Sequence, residues 1–235
     1  MKINREKALA AFQKYTDRYD SSRDMIRLKI EHTYRVCGLC QQIARSLDLP
    51  EEEVDIAWLT GLLHDVGRFE QQRVYGTFTD ADSIDHAKYG ARILFGKVWE
   101  EKHGLASGSE ESLSEEIQAD AGISIRDFVE DASCDELLWT AVFYHSAYRI
   151  PEGLDERTAM FCHILRLSRV LRRCLILQAS CFCITIVHLI DNIILHMLSI
   201  KCYCLVCAGG ICDIQNENSL FVTENLTNNG ILRHP

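Results

Sequence analysis

Apolar residues recur every three or four positions between residues 23 and 47, with charged residues between them. This spacing places the apolar side chains on one face of a helix. They are Ile26, Ile30, Val36, Leu39, Cys40, Ile43 and Ala44. The pattern therefore predicts an amphipathic helix with one buried face, and His32 lies within it.

A second helix is predicted from Pro50 and the acidic run at residues 51–53, because proline and carboxylates are favoured at helix N-termini. Its apolar positions cover much of the helix surface and are Val54, Ile56, Ala57, Leu59, Leu62 and Leu63. We expect a central, buried helix that ends near His64. Gly67 is expected to end it, so that the adjacent side chains of His64 and Asp65 can converge on one ion.

Residues 70–82 carry turn-forming residues and no sustained helical pattern, so we predict a loop there. Ser83 and Asp85 are suitable N-caps for a following helix through Val98. His86 lies in the first turn of that predicted helix.

The second half of the first 166 residues is also expected to be helical. Residues 104–116 are rich in Ser, Gly and Glu, which predicts a flexible loop. Helical spacing returns in three segments, at residues 124–129, 134–145 and 155–165. No segment alternates convincingly as a strand does, so the sequence predicts an all-α fold.

Charge and cysteine content divide the chain near residue 166. Residues 1–166 hold 30 of the 34 acidic and 20 of the 25 basic residues, but only four of the 11 cysteines. The rest of the chain is nearly uncharged, apolar and rich in cysteine. We therefore expect one domain over residues 1–166 and an atypical Cys-rich tail over residues 167–235.

The overall charge limits the partners of the chain. A net charge of -9 argues against nucleic acid, because phosphate backbones are bound by clustered Lys and Arg. The first residues lack the apolar stretch of a secretory signal, so we expect a cytoplasmic location. The sequence does not indicate an oligomeric state.

Five side chains form a plausible set of metal ligands. They are His32, His64, Asp65, His86 and His145. A mixed set of imidazole and carboxylate ligands suits Mn, Fe, Co, Ni or Zn better than an all-oxygen magnesium site. Because the histidines lie on separate predicted helices, one or two ions are expected.

The order His, His-Asp, His, His resembles the HD superfamily of metal-dependent phosphohydrolases over roughly residues 20–166. The resemblance implies an HD-domain-like helical bundle in which His32, His64 and Asp65 bind the first metal. It also implies that Asp65 is catalytic, because it would hold the metals and orient the nucleophile.

The resemblance further implies that His86 and His145 bind a second metal or contact the substrate. Arg68 falls where related proteins carry Lys or Arg, and a guanidinium there would bind a substrate phosphate through two hydrogen bonds. We therefore assign Arg68 a catalytic and substrate-binding role.

One expected ligand is missing. The family has a further Asp on a late helix, and Leu167 stands at that position, where the composition also changes. A shifted reading frame or altered C-terminus explains both observations. A membrane span over residues 174–200 is an alternative, although Asp191 argues against it.

The predicted function is hydrolysis of a phosphorylated small molecule, with a nucleotide as the expected substrate. The first alternative is a non-catalytic metal- or nucleotide-binding module, because the last Asp is absent. The second alternative is a membrane-anchored hydrolase, and this alternative ranks last.

Overall fold

The computed structural model describes residues 3–104 and 121–176. These residues form helices joined by short connections, and no strand occurs among them, which confirms the all-α prediction. The helices are α1 (Arg5–Thr16), α2 (Asp24–Ser46), α3 (Glu51–Leu63), α4 (Val66–Tyr75), α5 (His86–Phe95), α6 (Lys97–Lys102), α7 (Ile125–Phe128), α8 (Asp135–Tyr144) and α9 (Glu156–Ile176).

The helices pack around one apolar core. α2 pairs with α3 and α9, while α5 pairs with α4 and α8. The largest fully buried side chains come from seven helices and include Phe12, Leu59, Phe69, Phe128, Trp139 and Phe161. This packing brings the middle of α2, the end of α3, the start of α5 and the end of α8 towards one another.

Helix α3 has the predicted position and environment. It follows Pro50, carries three glutamates in its first turn and ends at Leu63. Every residue from Ile56 to Leu63 is buried, as expected for a helix surrounded by others. The doublet His64-Asp65 follows its C-terminal end directly.

The loop predicted for residues 70–82 is wrong over its first half, because α4 extends from Val66 to Tyr75. Gly67 lies in the first turn of α4, so its predicted role in ending a helix is also wrong. A Cβ atom on Gly67 would lie 2.2 Å from the backbone oxygen of His86 and 2.7 Å from the nitrogen of Gly90. Gly67 is therefore required for the close approach of α4 to α5.

Helix α5 begins as predicted but ends earlier. The side chain of Asp85 caps it by accepting hydrogen bonds from the backbone N–H groups of Ala87 and Lys88. The helix stops at Phe95 because Gly96 adopts a φ of 82°, and α6 begins at Lys97. The predicted extension to Val98 is thus interrupted by a glycine in a conformation that other residues rarely adopt.

Helix α9 continues past Arg166 to Ile176 without a break. Ser168 is buried and its hydroxyl contacts the thiol of Cys40 on α2 at 3.4 Å. The domain boundary at residue 166 stays a prediction. The predicted loop at 104–116 lies almost wholly outside the described residues, as does most of the tail at 167–235.

The membrane span considered for residues 174–200 also lies mostly outside the described residues. Within residues 3–104 and 121–176, none of the helices has the length and apolar character needed to cross a bilayer.

Candidate metal centre

The structure brings the five predicted ligands together from four parts of the fold. His32 lies on α2, His64 and Asp65 connect α3 to α4, His86 opens α5 and His145 follows α8. All five residues are buried. The Asp65 carboxylate lies among the four imidazole rings and has its two oxygens directed to two different pairs of them.

The first pair of rings surrounds Oδ2 of Asp65. The Nε2 atoms of His32 and His64 lie 3.2 Å apart. Oδ2 is 3.2 Å from Nε2 of His32 and 3.4 Å from Nε2 of His64. These three donor atoms form a nearly equilateral triangle, which we call the first triad.

The second pair of rings surrounds Oδ1 of the same carboxylate. The Nε2 atoms of His86 and His145 lie 3.0 Å apart. Oδ1 is 3.4 Å from Nε2 of His86 and 3.6 Å from Nε2 of His145. We call these three atoms the second triad, so that Asp65 belongs to both.

Hydrogen bonds at Nδ1 fix the orientation of three rings. Nδ1–H of His64 donates to the Gly61 carbonyl at 2.7 Å, and Nδ1–H of His145 donates to the Val142 carbonyl at 2.6 Å. Nδ1–H of His86 donates to Oδ2 of Asp80 at 2.8 Å. Because a neutral imidazole carries one proton, each ring presents an Nε2 lone pair to the centre.

The pKa values of His32 and His145 favour neutral imidazoles beside an ionised carboxylate. Burial lowers the pKa of His32 to about 4 and that of His145 to about 3, although the bond to Asp65 opposes the shift in both. Burial alone would raise the pKa of Asp65, but the neighbouring ammonium group of Lys29 helps to hold it well below its ordinary value. At neutral pH these groups therefore have the protonation states required of metal ligands.

The donor atoms fit divalent transition metals. Two acceptor nitrogens 3.0 Å apart, as in His86 and His145, repel each other unless a cation lies beside both. Nitrogen ligands at about 2.1 Å from one ion and at right angles would be separated by about 3.0 Å. Each triad also contains two imidazoles and one carboxylate oxygen, a donor set that suits Mn, Fe, Co, Ni or Zn.

Arg68 lies beside the centre but is engaged by protein groups. Its Nη1 donates to Oδ1 of Asp80 at 2.6 Å, to the Phe78 carbonyl at 2.5 Å and to Gln71 at 2.8 Å. The side chain is 13% exposed, and its Nε lies 3.9 Å from Oδ1 of Asp65. Its role in substrate binding stays a prediction, and the observed contacts make it part of the support of Asp80.

Two residues of the site were not predicted from the sequence. Lys29 lies one helical turn before His32 on α2, and its Nζ contacts Oδ2 of Asp65 at 2.9 Å. Asp80 lies in the connection between α4 and α5 and accepts hydrogen bonds from His86, Arg68 and Gln71. Lys29 could have been predicted, because it lies on the same face of the predicted helix as His32. Nothing in the local sequence distinguishes Asp80 from the neighbouring Asp82.

One of the comparisons with known proteins gave a match. The family model of the HD domain matches residues 30–119, a range that includes His32, the His64-Asp65 doublet and His86. Neither a curated protein nor a solved structure gave a significant match. His145 lies beyond the matched range, and its assignment depends on its position in the second triad. The match confirms the predicted resemblance to the HD superfamily over residues 30–119.

Proposed function

We propose that this chain is a metal-dependent phosphohydrolase that acts on a phosphorylated small molecule, with a nucleotide as the expected substrate. The observation that carries the proposal is the shared carboxylate of Asp65, whose two oxygens each form a triad with two imidazole nitrogens. The chemistry supplied by divalent ions at such a pair of sites is activation of a water molecule and polarisation of a phosphoryl oxygen.

Residues around the candidate metal centre position the imidazole nitrogens and the Asp65 carboxylate. The backbone carbonyls behind His64 and His145 and the carboxylate behind His86 keep each Nε2 directed inwards. Burial removes competing water and strengthens the electrostatic interactions of the ionised Asp65. Lys29 places a positive charge at the same carboxylate, within reach of an anionic substrate.

Metal content is the first test of the proposal. The purified full-length chain is expected to contain one or two ions of Mn, Fe, Co, Ni or Zn per chain by elemental analysis. Asp65→Asn removes the charge shared by both triads and is expected to lose both ions. Asp82→Asn, which changes an exposed carboxylate in the connection to α5, is the matched control and should keep them.

Turnover is the second test. A panel of nucleotides and a general phosphomonoester should be hydrolysed with added Mn²⁺, and Asp65→Asn should reduce the rate to background. A chain that holds its metals but hydrolyses none of these compounds would contradict the enzymatic proposal.

A non-catalytic binding module is the second candidate, and Leu167 favours it. Leu167 stands on α9 at the position where the resemblance implies a metal-binding Asp, and loss of a ligand weakens metal sites strongly. Leu167→Asp distinguishes the two candidates. Increased metal affinity and turnover would support the enzyme, whereas ligand binding without turnover in both forms would support the module.

A further inference from the structure

A cleft lies between the segment that follows α8 and the middle of α9, beside the backbone of His145. It has a volume of about 220 Å³, and we call it the arginine cleft. Its lining residues are His145, Ser146, Ala147, Arg166, Arg169 and Val170. The side chain of His145 is fully buried, so a molecule in the cleft would meet only the backbone of this member of the second triad.

Both arginines are held in place by the segment that follows α8. Nη2 of Arg166 donates to the Tyr148 carbonyl at 3.0 Å, and Nη1 of Arg169 donates to the His145 carbonyl. Arg166 and Arg169 are three residues apart on α9 and therefore share one face of the helix. Both side chains are half-buried, so their positive charges form part of the cleft wall.

The charge of the cleft is opposite to that of the chain. The net charge of the chain is -9, yet no carboxylate is found among the described residues that line the cleft. A guanidinium pair in a concave, partly desolvated site binds phosphate groups through charge-assisted hydrogen bonds. At about 30 Å³ per water molecule, the cleft has room for roughly seven waters, which is space for one or two phosphate groups.

A second, larger cavity shares Arg166 with the arginine cleft, and His145 is not among its described lining residues. Its volume is about 490 Å³, and it also has no carboxylate among its described lining residues. Tyr148, Ile150, Pro151 and Leu154 give it an apolar part, and Arg149, His163 and Arg166 add polar groups to its lining. The apolar part can accommodate a planar or apolar organic group, and the polar groups can bind its substituents.

We propose that the arginine cleft binds a phosphate group that is not cleaved, while the larger cavity binds the organic part of the same molecule. The substrate class is then an organic compound with at least two phosphate groups, such as a nucleoside diphosphate or triphosphate. The orientation of this molecule towards the metal centre rests on the proposed phosphohydrolase function, but the anion site itself does not.

Binding of inorganic pyrophosphate to the metal-free full-length chain tests the anion site. Removal of metals with a chelator followed by dialysis is necessary, because pyrophosphate also binds divalent ions. Isothermal titration calorimetry should show pyrophosphate binding that is weakened about tenfold to a hundredfold in Arg166→Gln and in Arg169→Gln. Binding should also weaken as the NaCl concentration rises.

Arg45→Gln is the matched control. Arg45 is exposed and pairs with Glu51, and it lies 13 residues after His32 on α2, or about 20 Å along the helix. Arg166→Lys and Arg169→Lys keep the charge and should lose less affinity than the glutamine variants. Circular dichroism and thermal melting show whether each variant is folded.

The absence of pyrophosphate binding in the unaltered chain would overturn the proposal. Equal binding in the unaltered chain and both folded glutamine variants would also overturn it, as would an equal loss in Arg45→Gln. A chain that binds pyrophosphate through these arginines but lacks metals or turnover would refute the proposed function and leave the anion site standing.

If the Mn²⁺-loaded chain is active, steady-state kinetics test the proposed orientation of the substrate. The glutamine variants should raise KM for ADP at least tenfold and leave KM for a simple phosphomonoester within twofold. Equal changes for both substrates would overturn the assignment of a second phosphate.

Discussion

Two buried polar clusters lie close to the start of α4, and they differ in how their atoms are paired. In the tyrosine–glutamate cluster, which consists of Tyr15, Tyr19, Glu70 and Arg73, donors face acceptors. The hydroxyl of Tyr19 donates to Glu70, and Arg73 contacts Glu70 at 2.7 Å. The hydroxyl of Tyr15 donates to the Val66 carbonyl at 3.0 Å.

In the metal centre, by contrast, acceptors face acceptors. The Nε2 atoms of His86 and His145 are 3.0 Å apart although Nδ1 carries the proton in each ring. A buried cluster whose groups satisfy one another needs nothing further and stabilises the fold. A buried cluster of converging acceptors needs a cation, and this difference separates a structural cluster from a candidate site.

The largest expected effect follows from Gly67→Ala, because Gly67 lies between Asp65 of the candidate metal centre and Glu70 of the tyrosine–glutamate cluster and packs against α5. The added methyl group would overlap the backbone of His86 and Gly90, so α5 must move away. We expect loss of the second triad and of one bound ion, together with at least about 1–3 kcal/mol of stability. Elemental analysis and urea unfolding measure the two effects.

Gly38→Ala is the control for this substitution, since a Cβ atom at Gly38 has no neighbour within 4 Å. It should keep the metal content and leave the free energy of unfolding unchanged or raised by up to about 1 kcal/mol. Full metal content in Gly67→Ala would show that the close approach of α4 and α5 is not needed for the second triad.

Asp80→Ala should break the metal centre selectively. It removes the acceptor that orients His86, and loss of such a partner typically weakens metal affinity by about 10- to 100-fold. We expect one ion to dissociate more readily while the ion at the first triad stays. Titration with Mn²⁺ after chelation measures this, and Asp82→Ala in the same turn should behave like the unaltered chain.

Tyr19→Phe should affect only the tyrosine–glutamate cluster. It deletes the hydroxyl that donates to the buried Glu70 and is expected to cost about 1–3 kcal/mol in the free energy of unfolding. Metal content should not change. Tyr34→Phe, at an exposed tyrosine of α2, is the control; loss of metal in Tyr19→Phe would mean that the two clusters are coupled.

The parts of the fold that the sequence predicts well are those with a strong apolar period. α2 and α3 have the predicted bounds to within one or two residues, because their patterns are long and their ends carry proline, acidic residues or a change of period. α4 was missed because only Val66 and Phe69 of its ten residues are buried apolar side chains. α4 packs against α5 and α1, and these tertiary contacts cannot be predicted from the local spacing of apolar residues.

The candidate site likewise contains residues that the sequence predicts and residues that it does not. The five candidate ligands are distinctive residue types at recognisable positions, and the sequence alone brought them into one hypothesis. The position of Asp80 depends on how the connection between α4 and α5 folds back onto His86. The arginine cleft depends on the packing of the segment after α8 against α9. Gly67 was correctly noticed but wrongly interpreted, since a close approach between two helices is a tertiary property.

The smallest expected effect is a difference in alkaline stability. Burial raises the pKa of Tyr15 and Tyr19 above the ordinary value of about 10. Below pH 10 both hydroxyls are protonated in the folded and the unfolded chain, and the fold keeps its full stability. As the pH rises above 10, the unfolded chain releases these two protons while the folded chain retains them, so the free energy of unfolding falls. At pH 10.5 each buried tyrosine should lower the free energy of unfolding by about 1 kcal/mol.

Urea unfolding of the unaltered chain and of Tyr15→Phe at pH 8.5 and 10.5 measures the contribution of Tyr15, since the other groups titrate in both proteins. The variant should lose less stability between the two pH values, and an equal loss would mean that Tyr15 already ionises in the folded protein.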